Sequence, residues 1–549
     1  MTTVADMIRA RAGDPHLALW FEDRSWSYAE YVEASAVRAA LLGELRRPGP
    51  FHVGVLLDNV PDFAMWLGAA ALTGATIVGV NPTRRGAELA RDVRHTEVQL
   101  LVTEPRHAPA RAGLDLGLAA DRVLDVESPE YAAALAAHAG APLPEAAVTD
   151  DDPFLLLFTS GTSGTPKAVR CSHWRLALIG ALAADMLGLT PRDVTYEAMP
   201  MFHSNALMAG WAPSLAAGAA VALRRRFSAS AFLDDVRRCG ATYFNYVGKP
   251  LAYILDTPPR PDDADNPLRL AFGNEAGERD LERFAARFGC EVIDAYGATE
   301  GGASIVRDPA GPPGALGPAS AATTVLDPAT AEECPPARFD ADGRMLNPEQ
   351  AIGEIVNKEG DVAFEGYWNN EEAEAQRRRL GYYWTGDLGY RDEQGYLYFA
   401  GRDYDWLRVD GENFAAAPVE RILGRHPDVV VAAVYAVPDA RAGDQVMAAL
   451  QVRAGAIFDG AAFARFVDEQ PDLGTKWTPR YVRVAADLPI TETTKVLKRG
   501  LRGERWECAD PVWWRDARSE PYRPFTAADA AARRDEFAAH GRLAALDGA

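Results

Sequence analysis

The stretch FHVGVLLDNVPDFAMWLGAAALTGATIVGVNPTRRGAELARDVRHTEVQLLVTE, residues 51–104, decides the class of fold. It contains three short, mostly apolar runs, at 51–59, 75–80 and 98–104, in which polar and apolar residues do not alternate. Helical stretches rich in Ala, Leu and Arg separate these runs. Strands of this kind, joined by helices, are typical of parallel sheets whose two faces are both covered. The sequence therefore predicts an α/β fold built on doubly covered sheets.

The uncharged run Phe63–Val80 in this stretch is close to the lower length limit of a membrane span. However, Pro61 suits the first turn of a helix, Gly74 interrupts the run before a strand, and Asp58 or Asn59 can cap the helix. We therefore expect a buried helix followed by a buried strand. The N-terminal residues lack the apolar segment of a signal peptide, and we expect a cytoplasmic protein.

Length and charge limit the class of protein. A chain of 549 residues is too long for one compact core and indicates two to four domains. It has 57 basic against 78 acidic residues, a formal net charge of -21, which disfavours nucleic acid as a partner. The five cysteines are scattered and form no CxxC pair, which fits a reducing compartment and disfavours a zinc site.

The pattern of buried strand and helix recurs at 241–248, 268–275 and 290–300. Residues 306–350 are instead rich in Pro, Gly and Asp, which indicates turns between short strands. We therefore expect a β-rich subdomain to close a large domain. A smaller α+β unit is expected after residues 395–406.

Residues 155–173, LLLFTSGTSGTPKAVRCSH, contain a loop of hydroxyls and glycines before one lysine. It fails the P-loop pattern, because Pro166 stands where the second glycine is required and Ala168 follows the lysine. Its composition still suits a polyphosphate, since glycines let backbone N–H groups converge while hydroxyls and a cation add donors. We place the loop between a buried strand and a helix, with a plain Ser/Thr/Gly linker as the alternative. The candidate phosphate ligands are Thr159, Ser160, Gly161, Thr162, Ser163, Gly164, Thr165 and Lys167.

Further motifs follow this loop in a fixed order. They are TSGTSGTPK at 159–167, YGATEGG at 296–302, YWTGDLGYRDEQGYLYFAGR at 383–402, GEN at 411–413 and LPITETTKVLKRGLR at 488–502. Together they resemble the adenylate-forming superfamily, which includes acyl-CoA synthetases, luciferases and peptide-synthetase adenylation domains. The resemblance implies ATP, Mg²⁺ and CoA as cofactor and co-substrates. It also implies an N-terminal domain over 1–401 that binds ATP and the acyl group, a hinge at 402–405, and a small mobile α+β domain over 406–549.

The resemblance also implies roles for residues in the nucleotide pocket. Glu300 would hold Mg²⁺, with Thr159 and Thr299 near the phosphates. Tyr296 would stack on adenine, and Asp387 would accept from the ribose hydroxyls. The remaining candidates for this pocket are Gly273, Asn274, Glu275, Gly297 and Arg402. The alternatives are a helix-start carboxylate after a Gly turn for Glu300, a turn aspartate for Asp387, a core side chain for Tyr296 and a surface ion pair for Arg402.

Two further candidates act on the carboxylate. Lys495 would reach the carboxylate and the α-phosphate from the small domain, although Thr494 precedes it where relatives often have glycine. In the hinge, the pivot position two residues after Arg402 is Tyr404, where the superfamily often has Asp or Lys. His203 in MPMFHSNAL would lie between the ATP and acyl sites, or else is a structural histidine. The chemistry needs such groups because the carboxylate and the triphosphate are both anions, whose repulsion must be screened by lysine and Mg²⁺.

Apolar residues at 206–211 and 243–255 are candidates for the wall of an acyl pocket. Segments 271–302, 364–376, 403–413 and 491–501 resemble the fatty acid transport protein and very-long-chain acyl-CoA synthetase branch. We therefore expect an acyl-CoA ligase for a long- or very-long-chain fatty acid. A steroid side-chain acid or another bulky apolar carboxylate is the alternative substrate.

Two alternatives concern the activity itself. One is an acyl-AMP ligase that loads a carrier protein, and the other is a lipid-binding scaffold with little catalysis. The sequence is compatible with peripheral contact with a membrane, and it predicts no oligomeric state.

Overall fold

The structure is a computed structural model. It describes residues 2–145, 147–159, 166–308, 310–341, 343, 345–360, 363–402, 406–409, 412–441, 443–474, 476–491, 496–518 and 520–547.

Residues up to 306 form two sheets covered by helices. The strands are β1 Leu17–Phe21, β2 Arg24–Ser27, β3 His52–Leu56, β4 Thr76–Gly79, β5 Val98–Thr103, β6 Val123–Asp125, β7 Pro153–Phe158, β8 Ala168–Ser172, β9 Val194–Glu197, β10 Ala220–Leu223, β11 Tyr243–Val247, β12 Leu270–Asn274, β13 Glu291–Gly297 and β14 Ser304–Val306. The helices are α1 Val4–Arg9, α2 Tyr28–Leu45, α3 Pro61–Thr73, α4 Gly86–His95, α5 Ala108–Arg111, α6 Pro129–Ala137, α7 His173–Met186, α8 Ala212–Ala217, α9 Phe232–Cys239, α10 Pro250–Asp256 and α11 Glu278–Phe288, with short 3₁₀ helices at Pro105–His107 and Ala120–Arg122 and a π-helix at Ala206–Trp211.

Both sheets are parallel except at their edges. One has the order β6-β5-β3-β4-β7-β8, and only β8 is antiparallel to its neighbour. The other has the order β14-β13-β12-β11-β9-β10-β1-β2, with antiparallel pairs at its two ends. The predicted α/β class is confirmed, because fully buried strands such as β3 and β4 carry the apolar pattern of residues 51–104.

Residues 317–402 form a third, antiparallel sheet of order β15-β20-β19-β17-β16, with β18 paired to β19. Its strands are β15 Gly317–Pro318, β16 Thr323–Leu326, β17 Gly353–Asn357, β18 Arg378–Arg379, β19 Tyr382–Arg391 and β20 Tyr396–Arg402, and its helices are α12 Pro348–Ala351 and α13 Glu371–Arg377. The β-rich subdomain expected from the Pro, Gly and Asp content is therefore present.

The remaining residues form a two-stranded and a five-stranded sheet, the latter of order β23-β24-β25-β26-β27. Their elements are β21 Trp406–Val409, β22 Glu412–Ala415, β23 Val429–Pro438, β24 Asp444–Val452, β25 Tyr481–Ala485, β26 Val512–Trp514, β27 Arg523–Pro524, α14 Ala416–Leu423, α15 Gly460–Asp468, α16 Lys498–Glu504, α17 Ala527–Ala539 and α18 Leu543–Asp547. This is the expected small α+β unit.

The run Phe63–Val80 is a buried helix and a buried strand, as predicted. Pro61 opens α3 and Gly74 ends it in the left-handed conformation, but the predicted caps are wrong. The cap position is Val60, without a side-chain bond. Asp58 instead pairs with arginines that follow β5 and β10, and Asn59 bonds the backbone after β9. None of the helices in the described part of the chain is long and apolar enough to cross a bilayer.

The bonds of Asn59 join the carboxyl ends of the two parallel sheets. Its side chain donates to the carbonyl of Met199 at 2.8 Å and accepts from the N–H of Met201 at 2.9 Å. Ligand sites of parallel sheets lie at the carboxyl ends of the strands, where loops from several strands meet. The segments that follow β7, β9, β12 and β13 should therefore converge on one site.

Candidate active site

The loop assigned to the triphosphate joins two strands. Thr159 donates its backbone N–H to the carbonyl of Lys167 at 3.1 Å, which closes the base of a hairpin between β7 and β8. The expected strand-to-helix position is wrong, because Ala168–Ser172 form β8 before α7 begins. The start of α7 is thus a full strand away from the loop. Residues Ser160, Gly161, Thr162, Ser163, Gly164 and Thr165 lie outside the described residues.

Glu300 lies in the turn between β13 and β14, buried beside a tyrosine and two cations. The Tyr367 hydroxyl donates to Glu300 Oε1 at 2.8 Å, and Arg377 Nε donates to the Tyr367 oxygen at 3.4 Å. Lys167 and Arg377 both interact electrostatically with Glu300. Burial lowers the pKa of Lys167, Arg377 lowers it further, and Glu300 opposes both effects. The anion and cations thus occupy one small region.

This donor set fits Mg²⁺ together with phosphates. Mg²⁺ prefers hard oxygen ligands and is often held by one carboxylate plus substrate phosphates. Glu300 supplies the carboxylate, and its bond from Tyr367 fixes the orientation of the group. Lys167 and Arg377 supply positive charge for phosphate oxygens.

Thr299 connects the Glu300 turn to the segment that contains His203. The hydroxyls of Ser204 and Thr299 lie 2.7 Å apart, and Arg175 donates to the Thr299 carbonyl at 2.6 Å. His203 is half-buried, with its ring 4.3 Å from that of Phe202. The structure therefore brings together the predicted Thr299 and His203 segments, which are about ninety residues apart in the chain.

Tyr296 and Asp387 also meet, although different sheets carry them. The Tyr296 hydroxyl donates to Asp387 Oδ2 at 2.7 Å, and Asp387 is buried. Burial and the Asp387 carboxylate raise the pKa of Tyr296 well above its ordinary value, so the phenol remains a donor. Across the β19–β20 pair, Asp387 faces the backbone of Arg402. A carboxylate held in this way can accept bonds from a pair of neighbouring hydroxyls.

The other candidates for the adenine pocket end the neighbouring strands β12 and β13. A Cβ on Gly273 would lie 2.2 Å from the carbonyl oxygen of Tyr246, so the backbone there admits only glycine. The carbonyl of Asn274 accepts from Gly248 at 2.7 Å, and Glu275 has a left-handed φ of 68°. Gly297 ends β13, opposite Ser304. These residues are adjacent to Tyr296 in the sheet, and their roles stay predictions.

Lys495 lies outside the described residues. Its segment is bracketed by a bridge between Ile490 and Val496. The neighbouring Lys498 is ion-paired with Glu420 at 2.9 Å. Because Lys498 is engaged in this pair, Lys495 stays the better candidate for the reactive lysine of the segment.

Sequence reasoning missed Tyr367, Arg377 and Ser204. Only the fold brings Tyr367 and Arg377 to Glu300, which Tyr367 bonds and with which Arg377 interacts electrostatically. The segment 364–376 carried only a branch resemblance, and Arg377 lies just after it. Ser204 directly follows His203, so the motif itself could have identified it.

Comparison with known proteins places the chain in a family. Residues 8–368 match the AMP-binding enzyme family, and residues 418–495 match the AMP-binding enzyme C-terminal domain. The chain is 53% identical over 544 residues to the steroid-22-oyl-CoA synthetase of Rhodococcus jostii, covering 98% of both chains. It is 49% identical over 496 residues to the medium/long-chain-fatty-acid–CoA ligase FadD17 of Mycobacterium marinum, covering 90% of this chain and 95% of that protein.

A solved structure has the same fold. The ATP-bound MatB from Rhodopseudomonas palustris superimposes with a TM-score of 0.77 at 26% identity, over 91% of this chain and 98% of that one. With its large N-terminal and small C-terminal domains, the chain therefore belongs to the AMP-binding enzymes and is an AMP-forming acyl-CoA ligase of the adenylate-forming superfamily, which uses ATP, Mg²⁺ and CoA.

Proposed function

We propose that the protein activates a steroid side-chain carboxylic acid as its CoA thioester. The observation that carries the proposal is the 53% identity, over 98% of both chains, to a steroid-22-oyl-CoA synthetase. Ala206, Leu207 and Trp211 of the π-helix are buried in the main apolar core.

The first half-reaction joins the acid to AMP. A carboxylate oxygen attacks the α-phosphorus, the bond to the β-phosphate oxygen breaks, and pyrophosphate leaves. Lys167 and Arg377 would neutralise phosphate oxygens, and Glu300 would hold the metal. Mg²⁺, when bound, stabilises negative charge on the phosphates. Tyr296 and Asp387 would hold the adenosine in place.

The second half-reaction makes the thioester. The CoA thiolate attacks the acyl carbon, and AMP leaves with the former carboxylate oxygen. We propose that Lys495 assists only the first half-reaction, and that residues 402–405 are the hinge about which the domain over 406–549 turns between the two. Support comes from the order of motifs and from the match of residues 418–495 to the C-terminal domain of the family.

A long-chain fatty acid is the second candidate substrate, as the sequence led us to expect. It is favoured by the 49% identity to the FadD17 ligase. The two candidates differ in width, because a fused ring system needs a broad cavity and an alkyl chain needs a narrow one.

A substrate panel tests the proposal. The panel contains steroid acids with side chains of different lengths and saturated fatty acids of about 8 to 24 carbons. The acids are compared by their kcat/KM for CoA-dependent AMP formation. We expect a steroid acid to exceed every fatty acid by at least about 10-fold. A higher value for any fatty acid would replace the steroid assignment with the second candidate. Both the steroid and the fatty acid assignment require that the enzyme forms a thioester with free CoA.

A further inference from the structure

A buried carboxyl group lies beside the active site without a cation to neutralise it. Glu197, at the carboxyl end of β9, has no solvent exposure. Its Oε1 accepts from Asn245 Nδ2 and from the N–H of Met199, each at 3.2 Å. Its Oε2 has no hydrogen-bond partner among the described residues. Glu197 therefore does not form an ion pair in the described part of the chain.

A carboxylate in this position would be costly. An ionised carboxyl group in an apolar interior that lacks a counter-ion normally takes up a proton instead. Burial raises the pKa of Glu197 well above its ordinary value, against weaker opposition from its two hydrogen bonds. The Tyr243 phenol, itself near Arg269, is the titratable neighbour that interacts with it electrostatically. Burial without a counter-ion among the described residues therefore favours the protonated form of Glu197.

Glu197 is linked to the His203 segment by two asparagines. Asn245 Nδ2 donates to Glu197 Oε1 and, at 2.9 Å, to Asn205 Oδ1. Asn205 Nδ2 in turn donates to the carbonyl of Tyr246 at 3.2 Å. Asn205 follows Ser204 directly, and Ser204 bonds Thr299. Two hydrogen bonds, the Ser204–Asn205 backbone and the Ser204–Thr299 bond therefore link β9 to the Glu300 turn.

Glu197 also supports the π-helix that follows Asn205. A Cβ on Gly210 would lie only 1.7 Å from Glu197 Oε2, so the helix backbone rests directly on the carboxyl group. The Tyr243 hydroxyl donates to the carbonyl of Ala209 at 2.7 Å from the same side. Short π-helical segments are uncommon and occur often at functional sites.

We propose that Glu197 is a positioning residue that fixes the His203–Ser204 segment, through Asn245 and Asn205, at the boundary between nucleotide and acyl group. This inference rests on the proposed adenylation site but not on the identity of the acid. Glu197 itself does not touch the reacting atoms in this account. Its loss should therefore lower kcat by misplacing other groups and leave the binding of ATP almost unchanged.

The test compares Glu197→Gln with Glu197→Ala. Glutamine is neutral, has nearly the same shape and keeps an acceptor for Asn245, whereas alanine breaks the link. We expect Gln to keep kcat within about threefold and Ala to lower it about 10- to 100-fold, because small misplacements at an active site cost that much. The KM for ATP should stay within about threefold of wild type in both.

Two further variants separate positioning from folding. Asn205→Ala should reproduce the loss in Glu197→Ala, and the double variant should be no slower than the slower single, since both break one chain. Thr195→Val is the control, because Thr195 lies on the same strand and bonds Ser214, and it is not part of the Glu197–Asn245–Asn205 link. It should keep kcat even if it lowers the melting temperature.

Three results would overturn the proposal: a Gln variant as slow as Ala, an Ala variant with wild-type kcat, or additive losses in the double variant. Rates are measured with the best acid of the panel. A wild-type enzyme without activity would contradict the proposed function itself. If the wild type is active and the Glu197 variants have the same kcat, only the role of Glu197 is contradicted.

Discussion

Removal of one hydroxyl, in Tyr296→Phe, should weaken the binding of ATP without slowing its chemistry. The phenol donates to Asp387 Oδ2 at 2.7 Å, and Asp387 is the predicted ligand of the ribose. Phenylalanine keeps the ring that would stack on adenine and removes only this donor. The buried Asp387 carboxyl group would then lose the hydrogen bond that the phenol donates to its Oδ2.

The size of the effect follows from the kind of bond. A hydrogen bond to a charged group contributes about 1.5 to 3 kcal/mol. Because about 1.4 kcal/mol corresponds to a factor of ten, we expect the KM for ATP to rise about 10- to 100-fold. Asp387 is only 7% exposed, so water cannot easily replace the phenol.

The assay is the initial rate of pyrophosphate release as a function of ATP at saturating acid and CoA. The matched control is Tyr367→Phe, which removes a phenol bond of 2.8 Å from Glu300 instead. It should raise the Mg²⁺ concentration needed for half-maximal rate and change the KM for ATP less than Tyr296→Phe does. If folded Tyr296→Phe bound ATP within twofold of wild type, the assignment of Asp387 to the ribose would be refuted.

Three other predictions concern charge. Glu300→Gln keeps an acceptor for Tyr367 but removes the anion, so the Mg²⁺ requirement should rise more than about 10-fold; an unchanged Mg²⁺ titration would remove Glu300 from the metal site. Burial raises the pKa of the half-buried Asp294 from 3.8 to about 7, so the folded state loses stability as the pH rises through that window. Asp294→Asn should therefore stabilise the protein by roughly 2 to 4 kcal/mol at pH 8 and by much less at pH 4.5, measured by thermal unfolding; equal gains at both pH values would contradict this. Burial lowers the pKa of His173 from 6.5 to about 4. The contribution of the neutral His173 ring to folding stability is therefore complete above pH 6.5 and is lost as the pH falls towards 4. His173→Leu should reduce the loss of unfolding free energy between neutral pH and pH 4 by about 3 kcal/mol. His540→Leu, at an exposed position, should not change this loss.

The sequence predicted the elements whose pattern depends on burial alone. Strands β3 and β4 are buried on both faces and β5 nearly so, and their mostly apolar, non-alternating residues identified the parallel sheet correctly. The cap of α3 was wrong because Asp58 and Asn59 bond distant segments after β5, β9 and β10. A local preference was overruled there by tertiary contacts.

The motifs supplied most of the candidate site residues, and the structure added the groups around them. Tyr296 and Asp387, or Ser204 and Thr299, are bonded pairs that no local pattern connects. The strand β8 was missed because its polar Arg170 and Ser172 resemble the start of a helix. Glu197 was missed because an isolated acidic residue in an apolar run gives no indication of its partners.

An oxygen-tracing experiment tests the central claim, that an acyl-adenylate is formed, most directly. The acid is labelled with ¹⁸O in both carboxylate oxygens and converted with ATP and CoA, and the products are analysed by mass spectrometry. Attack of the carboxylate on the α-phosphorus, followed by thiol attack on the acyl carbon, predicts one ¹⁸O in AMP, one in the thioester and none in pyrophosphate. Label in phosphate or pyrophosphate, or unlabelled AMP beside acyl-CoA, would contradict the mechanism.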